Sequence, residues 1–218
     1  MRMKIVESVA IPMAKMVVPR PLRLWARDLL NARRVRRNPG RVVLVKEILP
    51  AYAACGGRML WVGCRRYTKE YGAALERNGG ECWTTDINLA HARWGQRGRH
   101  FTWDLVCIDR LIAAGSFDSV LCNGVFGFGV DTRPAQLAAL QAMGRILKPG
   151  GRLLLGWNTD RAEDPMSFDF VRSAFVADDP AGRGARVSIP EAGYVYDFLR
   201  RREEPRCVCV QGDLIQHR

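Results

Sequence analysis

Gly63, Asp86 and Asp104 are the residues whose types and spacing could do chemistry. Asp86 stands 23 residues beyond Gly63 (86 − 63) and closes the run Glu81-Cys82-Trp83-Thr84-Thr85. An acid about 20 residues past a turn glycine is placed to accept two hydrogen bonds from a ribose diol. The turn itself reads Gly63-Cys64-Arg65-Arg66-Tyr67, with a single glycine. A pyrophosphate needs the close backbone approach that further glycines permit. The turn therefore argues against a dinucleotide. It leaves a cofactor without phosphates, or an ordinary βαβ unit with no ligand. Asp104 ends a second short run, His100-Phe101-Thr102-Trp103, and Asn123-Gly124 ends a third, Phe117 to Cys122.

Other reactive types carry less. Cys207 and Cys209 share a strand face, but no further Cys or His pair completes a metal site, so no metal is expected. Cys64 follows the turn glycine, where a helix N-terminus could activate a thiol; filling a small space is the favoured reading. His91 and His100 are read as surface or structural residues. The pairs Asp178-Asp179 and Glu203-Glu204 are read as solvated loop charges.

Short elements must position these residues. Met59-Leu60-Trp61-Val62 reads as a buried strand. Tyr67 to Arg77 reads as a helix with Tyr71, Ala74 and Leu75 on one face, ended by Asn78-Gly79-Gly80. A strand to Asp86, a short helix over 87–94, a strand over 100–104, a helix over 105–114 and a strand over 117–122 follow. Thr132 to Leu147 is a strong amphipathic helix with Pro134 in its first turn. Lys148-Pro149-Gly150-Gly151 turns into a fifth strand, Arg152 to Trp157, apolar from Leu153 as a buried parallel strand should be. Met166 to Val176 is expected to be helical and 178–185 a polar loop. Tyr194 to Arg200 and Arg206 to Val210 are expected to pair as an antiparallel hairpin. Upstream, 22–37 reads as an amphipathic helix, Asn38-Pro39-Gly40 as a break, and 41–55 as a helix that Pro50 kinks or ends.

The chain has 218 residues, 48% hydrophobic, enough for one α/β domain and an extension. No run of 18 or more residues is continuously apolar, so no transmembrane segment is expected, and no secretory signal either. The 7 cysteines are an odd number and suit a reducing, cytoplasmic compartment. The net charge of +12 is uneven: residues 1–40 hold ten Lys or Arg against Glu7 and Asp28, and residues 41–218 hold 24 against 20. The basicity thus belongs mainly to an N-terminal arm, which either meets an acidic partner or is simply solvated.

Taken in order, residues 59–158 resemble the class I S-adenosylmethionine-dependent methyltransferases, of the type 11-like kind. The matching pieces are Leu60-Trp61-Val62-Gly63-Cys64, Asp86-Ile87, Trp103-Asp104-Leu105, Phe117-Asp118-Ser119-Val120-Leu121-Cys122-Asn123 and Ile146-Leu147-Lys148-Pro149-Gly150-Gly151-Arg152-Leu153. The resemblance implies a Rossmann-like, doubly wound sheet of seven strands, mostly parallel with an antiparallel last strand. It divides the chain into a basic helical extension or lid, 1–40, and a methyltransferase-like domain, 41–218. It implies S-adenosylmethionine as cofactor. The backbone at Gly63 and Cys64 would face the methionine part. Asp86 would bind the ribose hydroxyls, and Ile87 would pack on the adenine. Asp104 would accept from its amino group beside Leu105, and Asn123 and Gly124 would line the pocket near the sulfonium. Arg65 and Tyr67 replace the family's further glycines in the cofactor loop, which is tolerable when both point outwards.

Three function classes follow. The first is a methyltransferase acting on a small-molecule or sugar-like acceptor, its catalytic residues not readable. The second is a nicotinamide oxidoreductase, disfavoured by the one-glycine turn. The third is a non-catalytic domain of the same fold that binds through its basic arm. After the fourth strand the text is Asn123-Gly124-Val125-Phe126, without the Asn-Pro-Pro-Tyr type of motif that would suit an amino group on a nucleobase.

Overall fold

The computed structural model describes residue 35 and residues 37–203. The arm over 1–34, the helix expected over 22–37 but for two residues, the strand expected over 206–210 and Cys207 and Cys209 lie outside the described residues.

The strands are β1 (Arg58–Val62), β2 (Glu81–Asp86), β3 (His100–Thr102), β4 (Phe117–Asn123), β5 (Leu147–Asn158), β6 (Phe175–Ala177), β7 (Arg186–Ile189) and β8 (Tyr194–Arg201). Their order is β3-β2-β1-β4-β5-β8-β6, with β7 also paired to β8. The pairs from β3 to β5 are parallel. β8 is antiparallel to β5 on one edge and to β6 and β7 on the other, so it alone runs against the rest. This is the expected doubly wound, mostly parallel sheet; among its eight described strands β6 and β7 are additional to those expected.

Alternation along the strands builds two cores. Leu60 and Val62 of β1, Val120 and Cys122 of β4, and Leu153 and Leu155 of β5 point to one face. Met59, Trp61, Leu121 and Leu154 point to the other. The first face is covered by α3 (Arg133–Ile146), through Ala139, Leu140, Met143 and Ile146, and by Val171 of α4 (Asp169–Ala174). The second face is covered by α1, in which the helical segments Pro39–Val43, Leu44–Ile48 and Leu49–Cys55 run end to end, and by α2 (Tyr71–Leu75). Leu44, Ile48, Leu49 and Tyr52 of α1 are fully buried there.

Several local expectations change. The break falls at Asn38, whose backbone is extended, and Pro39 and Gly40 already belong to the first turn of α1, with the Asn38 side chain accepting from Gly40 N at 2.9 Å. Pro50 does not end the helix, because the turn before it, Leu44–Ile48, is a π-helix. A wider turn at that point relieves the clash a proline makes with the preceding carbonyls. The connections expected to be helices over 87–94 and 105–114 are 3-10 turns, Leu89–Trp94 and Leu105–Arg110. Phe175 and Val176 belong to β6, not to a helix, because β8 offers an open edge there and Phe175 buries its ring. β7 was not anticipated, although Arg186-Val187-Ser188-Ile189 alternates exposed and buried. Lys148 to Gly151 bulge between the Phe117–Leu147 and Ser119–Arg152 pairings instead of preceding the strand.

Candidate cofactor crevice

β1 and β4 are neighbours whose chain connections leave in opposite directions, and the crevice opens beyond their carboxyl ends, as open α/β sheets dictate. Gly63 leaves β1 with φ +87, a conformation that favours glycine, and Gly63 N donates to Thr85 O at 2.8 Å. Trp61 Nε1 donates to Gly63 O at 2.7 Å and holds the turn from beneath. Gly63, Arg65, Tyr67, Asp86, Ile87, Asp104, Leu105, Asn123 and Gly124 all line the crevice.

Cys64 is the one expected site residue that does not line it. Its side chain is buried, with Sγ 3.9 Å from Thr85 O and 4.0 Å from His100 Nδ1. Burial, with the nearby Asp86 charge, pushes the thiol up to about 12, so it stays protonated and fills space. Its backbone N–H points to Asp86 instead.

Asp86 is 6% exposed and its carboxylate is closely surrounded by donors. Oδ2 accepts from Cys64 N at 2.7 Å and Arg65 Nη1 at 2.8 Å. Oδ1 accepts from Asn88 N at 2.9 Å and lies 3.1 Å from His91 Nδ1. A carboxylate has about four acceptor positions; Cys64, Arg65 and Asn88 take three, and His91 takes the fourth when its Nδ1 carries the proton. Burial raises the proton affinity of this group, but the bonds from Asn88, Cys64, His91 and Arg65 outweigh it and hold the carboxyl below its ordinary range. Arg65 and Tyr67 therefore do not point outwards. Arg65 folds back onto Asp86, and Tyr67 walls the crevice with the Arg41 guanidinium 5.0 Å above its ring. His91, read from the sequence as a surface or structural residue, is a partner of the key acid. It also lies 2.7 Å from Arg65 Nη1. Its Nδ1 accepts from Arg65 in one tautomer and donates to Asp86 in the other.

On the β3 side, Asp104 Oδ1 caps the following 3-10 turn through Val106 N at 3.1 Å. Ile87, Trp103 and Phe128 are 68%, 39% and 51% exposed at the rim. Exposed apolar side chains grouped around a cleft mark a binding surface. At the tip of β4, Tyr194 Oη donates to Asn123 Oδ1 at 2.7 Å. Trp103, Phe128 and Arg41 were not singled out from the sequence. Trp103 and Phe128 differ from core aromatics only by their exposure, and Arg41 sits on a helix remote in sequence from the strand tips.

Residues 60–155 match the family described as "Methyltransferase domain". The chain carries a class I S-adenosylmethionine-dependent methyltransferase domain. Solved structures agree in fold. The N-methyltransferase NodS from Bradyrhizobium japonicum WM9 has a TM-score of 0.57 at 16% identity, covering 77% of this chain and 99% of that one. A TehB-like methyltransferase from Corynebacterium glutamicum also has 0.57, at 18% identity, with 81% and 99% covered. The 1,6-didemethyltoxoflavin-N1-methyltransferase from Burkholderia thailandensis has 0.50 at 20% identity, with 83% and 90% covered. No curated protein matches the sequence. The methyltransferase uses S-adenosylmethionine as cofactor, and NodS is also known with S-adenosylhomocysteine bound. The residues present fit such a cofactor on one condition. Acids at Asp86 and Asp104, with Ile87, Leu105 and Trp103 between them, complement a ribose and a purine, provided the ribose displaces Arg65 or His91 from Asp86. Among the described residues no helix is long and apolar enough to cross a membrane.

Proposed function

We propose that this methyltransferase acts on a small-molecule or sugar-like acceptor, with the cofactor held by Gly63, Tyr67, Asp86, Ile87, Asp104, Leu105, Asn123 and Gly124 and by the backbone of Cys64, and with Arg65 lining the same crevice from its place on Asp86. The crevice carries this reading: a concave site walled by side chains from Arg41 to Val130, rather than an open face. The Burkholderia thailandensis relative holds a small molecule, 1,6-didemethyltoxoflavin, together with S-adenosylhomocysteine, which supports the same class. The cofactor supplies an electrophilic methyl group on a sulfonium. The chain's part is to bind, orient and shield the reactants, so positioning supplies the catalysis. Residues 41–218 form the domain in this reading, and residues 1–40 an accessory extension.

The closely surrounded Asp86 favours a second reading, a non-catalytic module of the same fold. Titration calorimetry with S-adenosylhomocysteine and NAD, followed by incubation of the full chain with methyl-labelled S-adenosylmethionine and a fractionated metabolite pool, separates the two. The expected result is S-adenosylhomocysteine binding, far weaker NAD binding, and label in a low-mass product. Binding without any label transfer points to the module. Tight NAD binding with no response to S-adenosylhomocysteine overturns both.

A further inference from the structure

A second cavity, of about 290 Å³, lies between α1 and α2. Its floor is aliphatic, with Val42, Val45 and Leu49 from α1 and Ala74 from α2. Val45 is 45% exposed there, while Leu44 and Ile48 of the same π-turn are fully buried against the sheet. Such turns recur at functional sites. Lys46 on α1 and Arg77 just beyond α2 also line the cavity. Both are exposed, and neither enters a hydrogen bond or an ion pair among the described residues. Glu70 is the one acid among the described residues that line it.

The same sign of charge continues past α2. The Gln96 amide lies against Gly72, where a Cβ would stand 1.4 Å from Nε2, so the turn over 93–97 packs on α2. Arg93 and Arg97 on that turn, and Lys69 before α2, are exposed and enter no ion pair among the described residues. Basic side chains on other faces are paired instead, as Arg145 is with Asp109, Lys148 with Asp118 and Arg186 with Asp164. One flank of the molecule thus joins an aliphatic groove to a run of unneutralised cations.

We propose that this groove docks an acidic amphipathic helix of a partner protein, its aliphatic ridge over Val45 and Ala74 and its carboxylates facing Lys46 and Arg77 and, beyond them, Arg93 and Arg97. Two helices side by side present a groove that receives the ridge of a third, and an apolar stripe seated in such a groove supplies the affinity. The cations extend past the cavity, farther than a small molecule placed in it reaches. A nucleic acid would bring phosphates to the cations but nothing apolar to the floor. Its bases would also find the nearby rings engaged: Arg41 lies over Tyr67 at 5.0 Å, and Arg66 and Arg93 lie over Trp94 at 5.8 and 4.9 Å. The chain's own N-terminal arm has the wrong sign, since residues 1–40 hold ten Lys or Arg against Glu7 and Asp28. That charge adds to the attraction for an acidic partner.

The probe is a fluorescein-labelled helical peptide of about 18 residues, roughly 27 Å long and so matched to α1, with leucines along one stripe and glutamates elsewhere. One control has the same composition with the stripe scrambled; the other is a labelled oligothymidylate. Fluorescence anisotropy with the full chain, at about 0.1 M salt, reads the binding. The striped peptide is expected to bind at least tenfold more tightly than the scrambled one. Val45→Asp, and separately Lys46→Glu combined with Arg77→Glu, are each expected to weaken it about tenfold. The melting temperature should stay unchanged in both, because all three side chains are exposed. Equal binding of the striped and scrambled peptides, or binding of neither, overturns the proposal on the wild-type chain alone. Tighter binding of oligothymidylate than of the striped peptide overturns it in favour of a nucleic acid. Striped-peptide binding that survives both variants places the contact elsewhere and overturns it too. None of these readings depends on whether the chain binds S-adenosylhomocysteine, so the groove and the methyl-transfer reading fail separately.

Discussion

Arg65 and Asp86 carry the central conflict of this site. The family places a ribose-binding acid where this chain has Asp86, yet Arg65, in place of a glycine, already occupies one of its oxygens at 2.8 Å. A hydrogen bond to a charged group is worth about 1.5–3 kcal/mol when buried. Arg65 is 44% exposed, so solvent screening reduces this to roughly 1 kcal/mol. Arg65→Ala is therefore expected to tighten S-adenosylhomocysteine binding about fivefold, read by calorimetry. A loss of affinity would instead show that Arg65 touches the cofactor itself. Asp86→Ala is expected to weaken binding and also to lower thermal stability, because Cys64 N and Asn88 N lose their acceptor. A variant with unchanged melting and unchanged affinity would reduce Asp86 to a bystander.

Two contacts at the level of elements hold the β4–β5–β8 platform together. A Cβ on Gly156 would lie 2.2 Å from Asn123 Oδ1 and 2.8 Å from a Tyr196 ring carbon, which is why a central strand tolerates glycine here. Gly156→Ala is expected to cost about 1–3 kcal/mol by overpacking and to push Asn123 off Tyr194. Denaturant unfolding measures the first effect, and weakened S-adenosylhomocysteine binding, read by calorimetry, the second. Asp197, 2% exposed, accepts from Trp157 Nε1 at 2.8 Å and from Arg186 Nε at 2.6 Å, joining β5, β7 and β8. Arg186 also donates to Asp164 at 2.7 Å and is partly solvated. Asp197→Ala leaves the indole N–H unpaired, so a loss of about 2–4 kcal/mol is expected, below the full penalty of a wholly buried pair. A loss under 0.5 kcal/mol would show that β7 contributes little to the sheet.

Across the whole molecule, the groups shifted on the acid side of neutrality act in one direction. Burial lowers the proton affinity of His100, with the Asp86 charge opposing it. The unfolded chain takes up this proton first, near about pH 6.5, so stability is full above that value and declines as pH falls toward the lower folded pKa. Asp86 and Asp164 are also held low, Asp164 chiefly by Arg186. Their contribution is present above about pH 4 and is lost as pH falls through their folded values. Thermal melting is thus expected to be level between pH 7 and 8, to drop below about 6.5 and to drop again below about 4. His100→Gln should remove the first drop and leave the second. Persistence of the first drop in that variant would assign it elsewhere.

Period and punctuation alone determined the order of elements from Met59 to Trp157. Buried strands are continuous apolar runs, turns need Gly, Asn or Pro, and acids at strand tips stand out against both. The same local signals placed Gly63, Asp86, Asp104 and Asn123 at one end of one sheet. Only the tertiary structure decided what meets there. Arg41 reaches the β4 tip because Tyr196 pins Gly40, 156 positions before it, in the first turn of α1. Arg65 and His91 converge on Asp86 across 21 and 5 positions, a closure that no periodicity encodes. β7 and the strand character of Phe175 and Val176 likewise depend on the edge that β8 presents, since a short segment takes its structure from the partner it hydrogen-bonds rather than from its own propensity.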